Sequence, residues 1–335
     1  MTGTRTFLTR PDLAPLARAA LGPQRTLTAV ARLRGGTKKG VYRLTLDDAT
    51  TAIAYVWSPG EDYWGEPGAD PRDPFSHASG LDLFTASHDR LTGLGVRTPR
   101  LLLADADRRF LGADAAVVED LPGDSLEDAL RRDPKAAAPV LDRLAEALAA
   151  MRGCAAPAQA PAPGFGKVAL VDAGGMSRGG SCEGRVAERA LADIAEIAVR
   201  DPSAAAAREA FEDAVRTLAD DIAPRARHTL IHGELGPDHV LVTPDGEPAL
   251  IDIEGLMYFD AEWEHVFLAL RFGPHYDALR TPDLDEPRLR LYRLALHLSL
   301  VAGPLRLLDG DFPEPGPMRA IAEHNLARAL SLVER

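Results

Sequence analysis

Three polar side chains stand at fixed intervals in the second half of the chain and restrict what it can fold into. His239 comes five residues after Glu234, and Asp252 comes thirteen residues after His239. Between His239 and Asp252, a Pro-Asp-Gly turn at 244–246 separates two apolar runs and predicts a tight hairpin. The hairpin would bring two carboxylates and a potential metal ligand together, which is the spacing of a phosphoryl-transfer active site.

The first part of the chain predicts a sheet with a glycine-rich turn. Period-two alternation predicts three consecutive strands, at 26–33, 41–46 and 52–57. The turn Gly35-Gly36-Thr37-Lys38-Lys39-Gly40 joins the first two strands and carries two of the four lysines of the chain. Backbone amides and ammonium groups in such a turn can neutralise phosphate, although glycine-rich turns alone also occur as plain hairpins.

Beyond these strands, the patterns change from strand to helix. Helical spacing predicts a helix at 80–94, and short apolar runs at 101–103 and 115–118 would complete the sheet. From Ser125 onward, Ala/Leu-rich periodic segments predict a mainly helical region. The stretch 153–184 interrupts it and is too long for a plain connector, so we expect a mobile lid or a substrate-side insertion.

Taken together, these motifs resemble the aminoglycoside phosphotransferase and choline kinase-like family, whose signature is roughly H-G-D-x-x-x-x-N, a short hairpin and I-D-W/F-E. The sequence Glu119-Asp120-Leu121-Pro122-Gly123 looks like the interlobe hinge of that family. The resemblance implies a bilobal, protein-kinase-like α+β fold with an antiparallel N-lobe sheet and a mainly helical C-lobe. The expected divisions are an N-lobe at 1–118, a hinge at 119–123 and a C-lobe at 124–335.

The resemblance also assigns roles to individual residues. Glu234 would be the catalytic base that meets the acceptor hydroxyl, and Asp252 would hold Mg²⁺ with help from His239 or Glu254. ATP or GTP would be the co-substrate. The expected nucleotide-binding residues lie in the glycine turn and the hinge: Gly35, Gly36, Lys38, Lys39, Gly40, Glu119 and Leu121.

The chain departs from the family pattern at both ends of the catalytic loop. Glu234 stands where the family has Asp, and His239 stands where it has Asn. Imidazole suits Mg²⁺ poorly because Mg²⁺ prefers oxygen ligands. Three interpretations of His239 stay open: a ligand in a Mn²⁺-tolerant site, a cation near phosphate when protonated, or a position where Asp238 or water supplies the missing oxygen.

A second departure concerns the lysine–glutamate ion pair of kinases, which joins a strand to a helix. The third strand, 52–57, has no lysine, and the helix at 80–94 has no glutamate. Either Lys38 or Lys39 replaces the missing lysine, or the lineage has lost catalysis.

Composition limits the partners and the location. The net charge of −12 argues against nucleic acid or an anionic membrane as partner and is compatible with a cationic acceptor. Two cysteines without a nearby Cys/His cluster suggest free thiols. The chain has no signal-like start and no run of eighteen apolar residues, so we expect a cytoplasmic protein.

The leading hypothesis is therefore a metal-assisted phosphotransferase that moves the γ-phosphate of ATP or GTP to a hydroxyl of an antibiotic-like or biosynthetic small molecule. In the first case the protein would confer antibiotic resistance. The main alternative is a non-catalytic pseudokinase that binds nucleotide or another ligand. Nucleotidyl transfer on the same fold is a third interpretation.

Overall fold

The computed structural model describes residues 5–34, 36–64, 70–76, 78–157 and 164–334. Its first part is a five-stranded antiparallel sheet of order β1-β2-β3-β5-β4. The five strands are β1 Leu27–Arg32, β2 Gly40–Leu46, β3 Thr51–Trp57, β4 Leu101–Asp105 and β5 Asp114–Glu119. All five predicted strands are confirmed to within a few residues.

Both faces of this sheet are covered by helices. Helix α1 (Arg10–Leu21) packs on one face through Leu13 and Leu16, and helix α2 (Leu81–Gly93) packs on the other through Phe84. Because it is covered on both sides, β3 is buried at every position after its first residue. Helix α2 confirms the helix predicted at 80–94, whereas α1 was not predicted.

The remainder of the chain is mainly helical, as expected. Its helices are α3 Leu126–Arg132, α4 Pro134–Gly153, α5 Val168–Asp172, α6 Cys182–Arg200, α7 Pro202–Ala206, α8 Arg208–Asp220, α9 Ala261–Phe272, α10 Glu286–Leu308 and α11 Pro315–Val333. Ala207 separates α7 from α8. Within the described part of the chain, α10 has the length and apolar composition to span a membrane, but 61% of its apolar window is buried inside the protein.

Two small sheets in the C-lobe position the predicted catalytic loop. Strands β8 (Val240–Val242) and β9 (Pro248–Leu250) form the predicted hairpin. The other sheet has the order β6-β10-β7, with β6 Gly166–Lys167, β10 Met257–Phe259 and β7 Thr229–Ile231. The catalytic loop runs from the end of β7 to the start of β8.

The described part of the stretch 153–184 contains regular secondary structure. It contributes β6 and α5, and Val168 donates a backbone hydrogen bond to Leu256 at 3.1 Å. Strand β6 is paired into a sheet with β10, and both interpretations of this stretch stay predictions.

Candidate active site

Lys39 forms an ion pair between the two lobes. It directly precedes β2, and its Nζ lies 2.8 Å from Asp252 Oδ1 and 2.5 Å from Glu254 Oε1. The lysine is only 8% exposed. Burial alone would lower the pKa of Lys39, but the negative charges of Asp252 and Glu254 outweigh burial and raise it. Lys39 is therefore a permanently charged link from the glycine turn to the second of the predicted catalytic acids.

The space where a strand–helix ion pair would lie is filled by aromatic rings. Tyr55 of β3 packs edge-on against Phe84 of α2, with ring centroids 5.5 Å apart. Lys39 Nζ lies 5.0 Å from the centroid of the Tyr55 ring. The cation thus approaches the acids from the start of β2 and passes over an aromatic side chain of β3.

Asp252 has a backbone conformation that only a few residue types tolerate. It follows β9 and lies in the left-handed region, with φ 58° and ψ 46°, at the start of a 3-10 turn over Ile253–Gly255. Asp and Asn adopt this conformation more readily than other non-glycine residues. The Lys39 charge lowers the pKa of Asp252, so its carboxyl group is ionised throughout the physiological range. By contrast, burial raises the pKa of Glu254, although Lys39 opposes this shift.

His239 is oriented by the loop that precedes it. Its Nδ1 lies 3.1 Å from the backbone carbonyl oxygen of Glu234, and because a carbonyl only accepts, Nδ1 must carry the proton. In the uncharged form of the ring the lone pair is on Nε2, which lies 3.9 Å from Asp252 Oδ2. Lys39 is bonded to the other oxygen of the same carboxylate. Two donor atoms at this separation can bind one ion, and the imidazole favours Mn²⁺ over Mg²⁺.

Glu234 is exposed on the catalytic loop and lines the cleft between the lobes. The residue before it, Gly233, has φ 90°, a conformation that is accessible mainly to glycine. His232 is buried, and its Nε2 lies 3.1 Å from the carbonyl oxygen of Ile251. Burial lowers the pKa of His232 to about 4. This histidine is therefore neutral and holds the loop through a backbone bond.

Buried carboxylates behind the loop hold it in place. Glu264 of α9 accepts a 2.8 Å hydrogen bond from the backbone N–H of Gly233, and burial raises its pKa to about 7. Asp260 accepts bonds from Arg288 at 2.9 Å and from Tyr292 at 2.6 Å, instead of capping α9 with its side chain.

Glu262 belongs to the same supporting layer. Its two carboxylate oxygens accept bonds from Arg225 at 2.6 and 2.7 Å. Glu262 therefore lies in an ion pair, whereas Glu264 lies against the catalytic loop.

The glycine turn is held by the loop that follows β3. Tyr63 donates a 2.9 Å backbone bond to Thr37, and the indole of Trp64 donates to the Thr37 hydroxyl at 3.1 Å. Gly36 is tightly packed, because a Cβ there would lie 2.5 Å from the Lys39 carbonyl oxygen. Gly35 lies outside the described residues. Lys38 contributes to the wall of the cleft on the same side as Thr37.

The glycine at position 40 has a packing explanation. A Cβ at Gly40 would lie 2.7 Å from the carboxylate of Glu61. Glu61 is 2% exposed and is bonded by Tyr42 and, at 2.8 Å, by Arg32. Gly40 therefore makes room for a buried polar network, so its presence does not by itself indicate a phosphate site.

The predicted hinge residues lie apart from these groups. Glu119 ends β5, where its carboxylate accepts bonds from Arg97 at 2.7 Å and from the Arg100 N–H at 3.1 Å. Leu121 is buried. Neither residue lines the cleft among the described residues, so their contact with nucleotide stays a prediction.

The cleft has a small part and a large part. The small part, of about 150 Å³, is bounded by the glycine turn on one side and by Glu234, Asp252 and Glu254 on the other. The large part, of about 660 Å³, continues from Glu234 toward α9 and α10. Lys38 and Glu234 line both parts. Lys167 of β6 lines the large part and was not predicted as a site residue.

Comparison with known proteins agrees with this arrangement. Residues 29–303 match the family model described as the phosphotransferase enzyme family, APH. The chain belongs to this phosphotransferase family. The match includes the glycine turn, the catalytic loop and the hairpin that carries Asp252. No curated protein matches the chain.

Solved structures of phosphotransferases share the fold. The aminoglycoside phosphotransferase APH(4)-Ia is 17% identical with a TM-score of 0.65, covering 97% of this chain and 99% of that one. Choline kinase LicA from Streptococcus pneumoniae is 14% identical with a TM-score of 0.59, covering 96% and 99%. A putative fructosamine-3-kinase from Thermobifida fusca YX-ER1 is 21% identical with a TM-score of 0.52, covering 94% and 98%. The bilobal kinase-like fold is confirmed.

Proposed function

We propose that this protein transfers the γ-phosphate of ATP or GTP to a hydroxyl group of a small molecule, in a reaction assisted by a divalent metal. The observation that carries the proposal is the ion pair of Lys39 with Asp252 and Glu254, with Glu234 on the wall of the same cleft. It provides a cation, an ionised metal-binding acid and an exposed carboxylate, which are the groups that phosphoryl transfer requires. Structures of APH(4)-Ia in ternary complexes contain ADP or AMP-PNP together with hygromycin B.

Each residue has a distinct role in this proposal. Glu234 accepts the proton of the acceptor hydroxyl, since it is exposed at the junction of the two parts of the cleft. Lys38 contacts the phosphate groups from the glycine turn, whereas Lys39 holds Asp252 in place. The remaining oxygen of Asp252 and Nε2 of His239 would hold Mn²⁺ or Mg²⁺, which neutralises phosphate charge when bound.

Nucleotide binds, in this proposal, between the glycine turn and the hinge. The turn residues Gly36 and Gly40 shape the backbone, and Glu119 and Leu121 offer hinge backbone groups to the base. A cytoplasmic location and the division into lobes at 1–118 and 124–335 stay predictions. The antibiotic-like acceptor and the link to antibiotic resistance also stay predictions.

One observation favours the pseudokinase alternative. Lys39 occupies one oxygen of Asp252 and one of Glu254, which are two of the predicted metal ligands. If this ion pair persists when nucleotide is present, metal binding depends on His239 and on a single oxygen of Asp252. The two functions differ in whether metal strengthens nucleotide binding.

Thermal unfolding with nucleotide and metal tests the proposal. The melting temperature of the wild type should rise by several degrees with ADP plus Mn²⁺ or Mg²⁺, because saturating ligand adds about 2.7 kcal/mol at a hundredfold excess over Kd. The metal-dependent part of the rise should disappear in Asp252→Asn and persist in Asp245→Asn, which changes an acid in the exposed hairpin turn. A shift that is identical without metal would support the pseudokinase.

A further inference from the structure

Lys167 is a buried lysine that faces the acceptor side of the cleft. It lies in β6, is 2% exposed and lines the large part of the cavity together with Glu234. Its Nζ donates to the backbone oxygen of Ser76 at 2.6 Å and to the Ser76 hydroxyl at 3.2 Å. An ammonium group has three donors, so two acceptor atoms leave one donor available.

The charge of Lys167 is not neutralised by a carboxylate. Among the described residues, no ion pair joins an acid to Lys167 or to Lys38, although the charges of Glu234, Asp73 and Asp82 act on Lys167 from a longer distance. Burial, and then the positive charge of Lys38, lower the pKa of Lys167 to about 8, so the group is still mainly protonated at neutral pH. A buried cation without a counter-ion is costly in free energy, and a bound anion would offset this cost.

The arginines of the same cavity differ from the two lysines because each lies beside an acid. The pairs are Arg178 with Asp73 at 2.9 Å, Arg189 with Asp193 at 3.5 Å, Arg271 with Asp238 at 2.7 Å and Arg306 with Glu196 at 3.1 Å. The uncompensated charge of the described cavity wall is therefore the positive charge of Lys38 and Lys167, opposed by Glu234. This local charge is opposite to the net charge of the chain.

The rest of the wall is apolar. Phe75, Trp263 and Phe267 line the cavity together with Met257, and Phe75 and Trp263 are in contact with ring centroids 5.0 Å apart. A volume of about 660 Å³ lies within the range that holds small organic ligands. The wall therefore suits a molecule with an apolar body and one anionic group.

We propose that the acceptor is an anionic alcohol with an apolar body, and that Lys167 binds its carboxylate while Glu234 meets its hydroxyl. This inference rests on the proposed phosphotransferase function for the role of Glu234. It replaces the cationic acceptor suggested by the net charge, because recognition depends on the charge of the cavity wall. Lys167 is a specificity residue in this proposal, and Lys38 is reserved for the phosphate groups of the nucleotide.

Three probes that differ in one substituent test the charge preference. The anionic probe is 4-(hydroxymethyl)benzoate, the neutral probe is 4-(hydroxymethyl)benzamide and the cationic probe is 4-(aminomethyl)benzyl alcohol. Binding is measured by calorimetry with the full chain in the presence of ADP and Mg²⁺. We expect the carboxylate to bind at least about tenfold more tightly than the amide, which corresponds to about 1.4 kcal/mol, and the amine to bind most weakly.

Variants then assign the preference to Lys167. Lys167→Met should remove the tenfold advantage of the carboxylate and leave the affinity for the amide unchanged. Lys167→Arg should retain part of the advantage, and the control Lys135→Met, which removes an exposed lysine of α4, should retain all of it. A shift of the melting temperature by ADP in every variant shows that each one is folded.

Three results would overturn the proposal: equal binding of the three probes, preference for the amine, or no binding of the carboxylate at about 10 mM. Persistence of the carboxylate preference in Lys167→Met would also overturn it. Failure of the phosphotransferase proposal appears separately, as absence of a metal-dependent nucleotide shift while the carboxylate preference remains.

Discussion

Lys39 connects the two lobes through a buried ion pair, and its removal has a calculable cost. In Lys39→Met, Glu254 would stay buried without its partner, and breaking a buried pair from one side typically costs about 3 kcal/mol. The double variant Lys39→Met/Glu254→Gln should regain part of this loss, because no uncompensated charge remains. Urea unfolding of the wild type, Lys39→Met, Glu254→Gln and the double variant measures the coupling free energy between the two side chains. Additive losses would show that the 2.5 Å contact contributes nothing to stability.

Glu264 gives the protein a pH-dependent stability. Its pKa is raised by burial from 4.5 to about 7. Between about pH 4.5 and pH 7 the folded state therefore binds more protons than the unfolded state, and the free energy of unfolding falls as pH rises through this window. The size of the effect is on the order of 3 kcal/mol.

Glu264→Gln should remove this contribution. Glutamine resembles the protonated acid and can still accept the bond from Gly233, so the variant should lose less stability than the wild type between about pH 5 and about pH 7. Urea unfolding at the two pH values measures the difference. The control is Glu323→Gln, an exposed position on α11, which should behave as the wild type does. A wild-type pH slope in Glu264→Gln would contradict the assignment.

Packing where the glycine turn meets β2 leaves no space for a side chain at residue 40. Gly40→Ala would drive a Cβ against the carboxylate of Glu61 and should destabilise the protein by about 1–3 kcal/mol. Gly93→Ala is the matched control, because no atom lies within 4 Å of a Cβ there and alanine favours helix α2 by about 0.5–1 kcal/mol. Thermal unfolding should move in opposite directions for the two variants. Equal shifts would remove the packing explanation for Gly40.

The elements also show which features local sequence can predict. The first three strands and α2 follow hydrophobic periodicity, and the other two strands are short apolar runs, so the positions of all six elements could be predicted from the sequence. Helix α1 was missed although Thr9 and Asp12 form a capping interaction, with the Asp12 carboxylate accepting the Thr9 N–H at 2.8 Å. Strand β6 has two residues, too few for a periodic signal, and forms because β10 pairs with it.

The residues of the candidate site likewise include some that the sequence could predict and some that it could not. Glu234, His239 and Asp252 could be predicted because they share one loop and hairpin. The sequence limited the replacement for the missing strand lysine to Lys38 or Lys39, whereas the contact of Lys39 with Asp252 depends on which side chain reaches across the cleft. Lys167 could not be predicted, since its place in the cavity follows from the β6–β10 pairing and not from neighbouring residues.

At the scale of the whole molecule, one hydrophobic cluster crosses the boundary between the lobes. Ile53, Tyr55 and Phe84 of the N-lobe belong to the same buried cluster as Leu144 and Leu250 of the C-lobe. Because the lobes share this cluster and the Lys39 ion pair, neither can unfold without exposing apolar surface of the other. We therefore expect a single cooperative unfolding transition.

Tryptophans in the two lobes provide the measurement. Trp57 lies in β3 and Trp263 lies in α9. One variant retains only Trp57 and reports on the N-lobe, and the other retains only Trp263 and reports on the C-lobe. Trp64 is replaced by Phe in both variants. In each variant, the urea midpoint of the fluorescence transition should equal the midpoint of the circular dichroism transition of the same variant. ADP with Mg²⁺ should raise both midpoints together, because the proposed nucleotide site uses groups from both lobes. An earlier transition of Trp57 alone would show that the N-lobe unfolds independently, in which case the shared cluster does not couple the lobes.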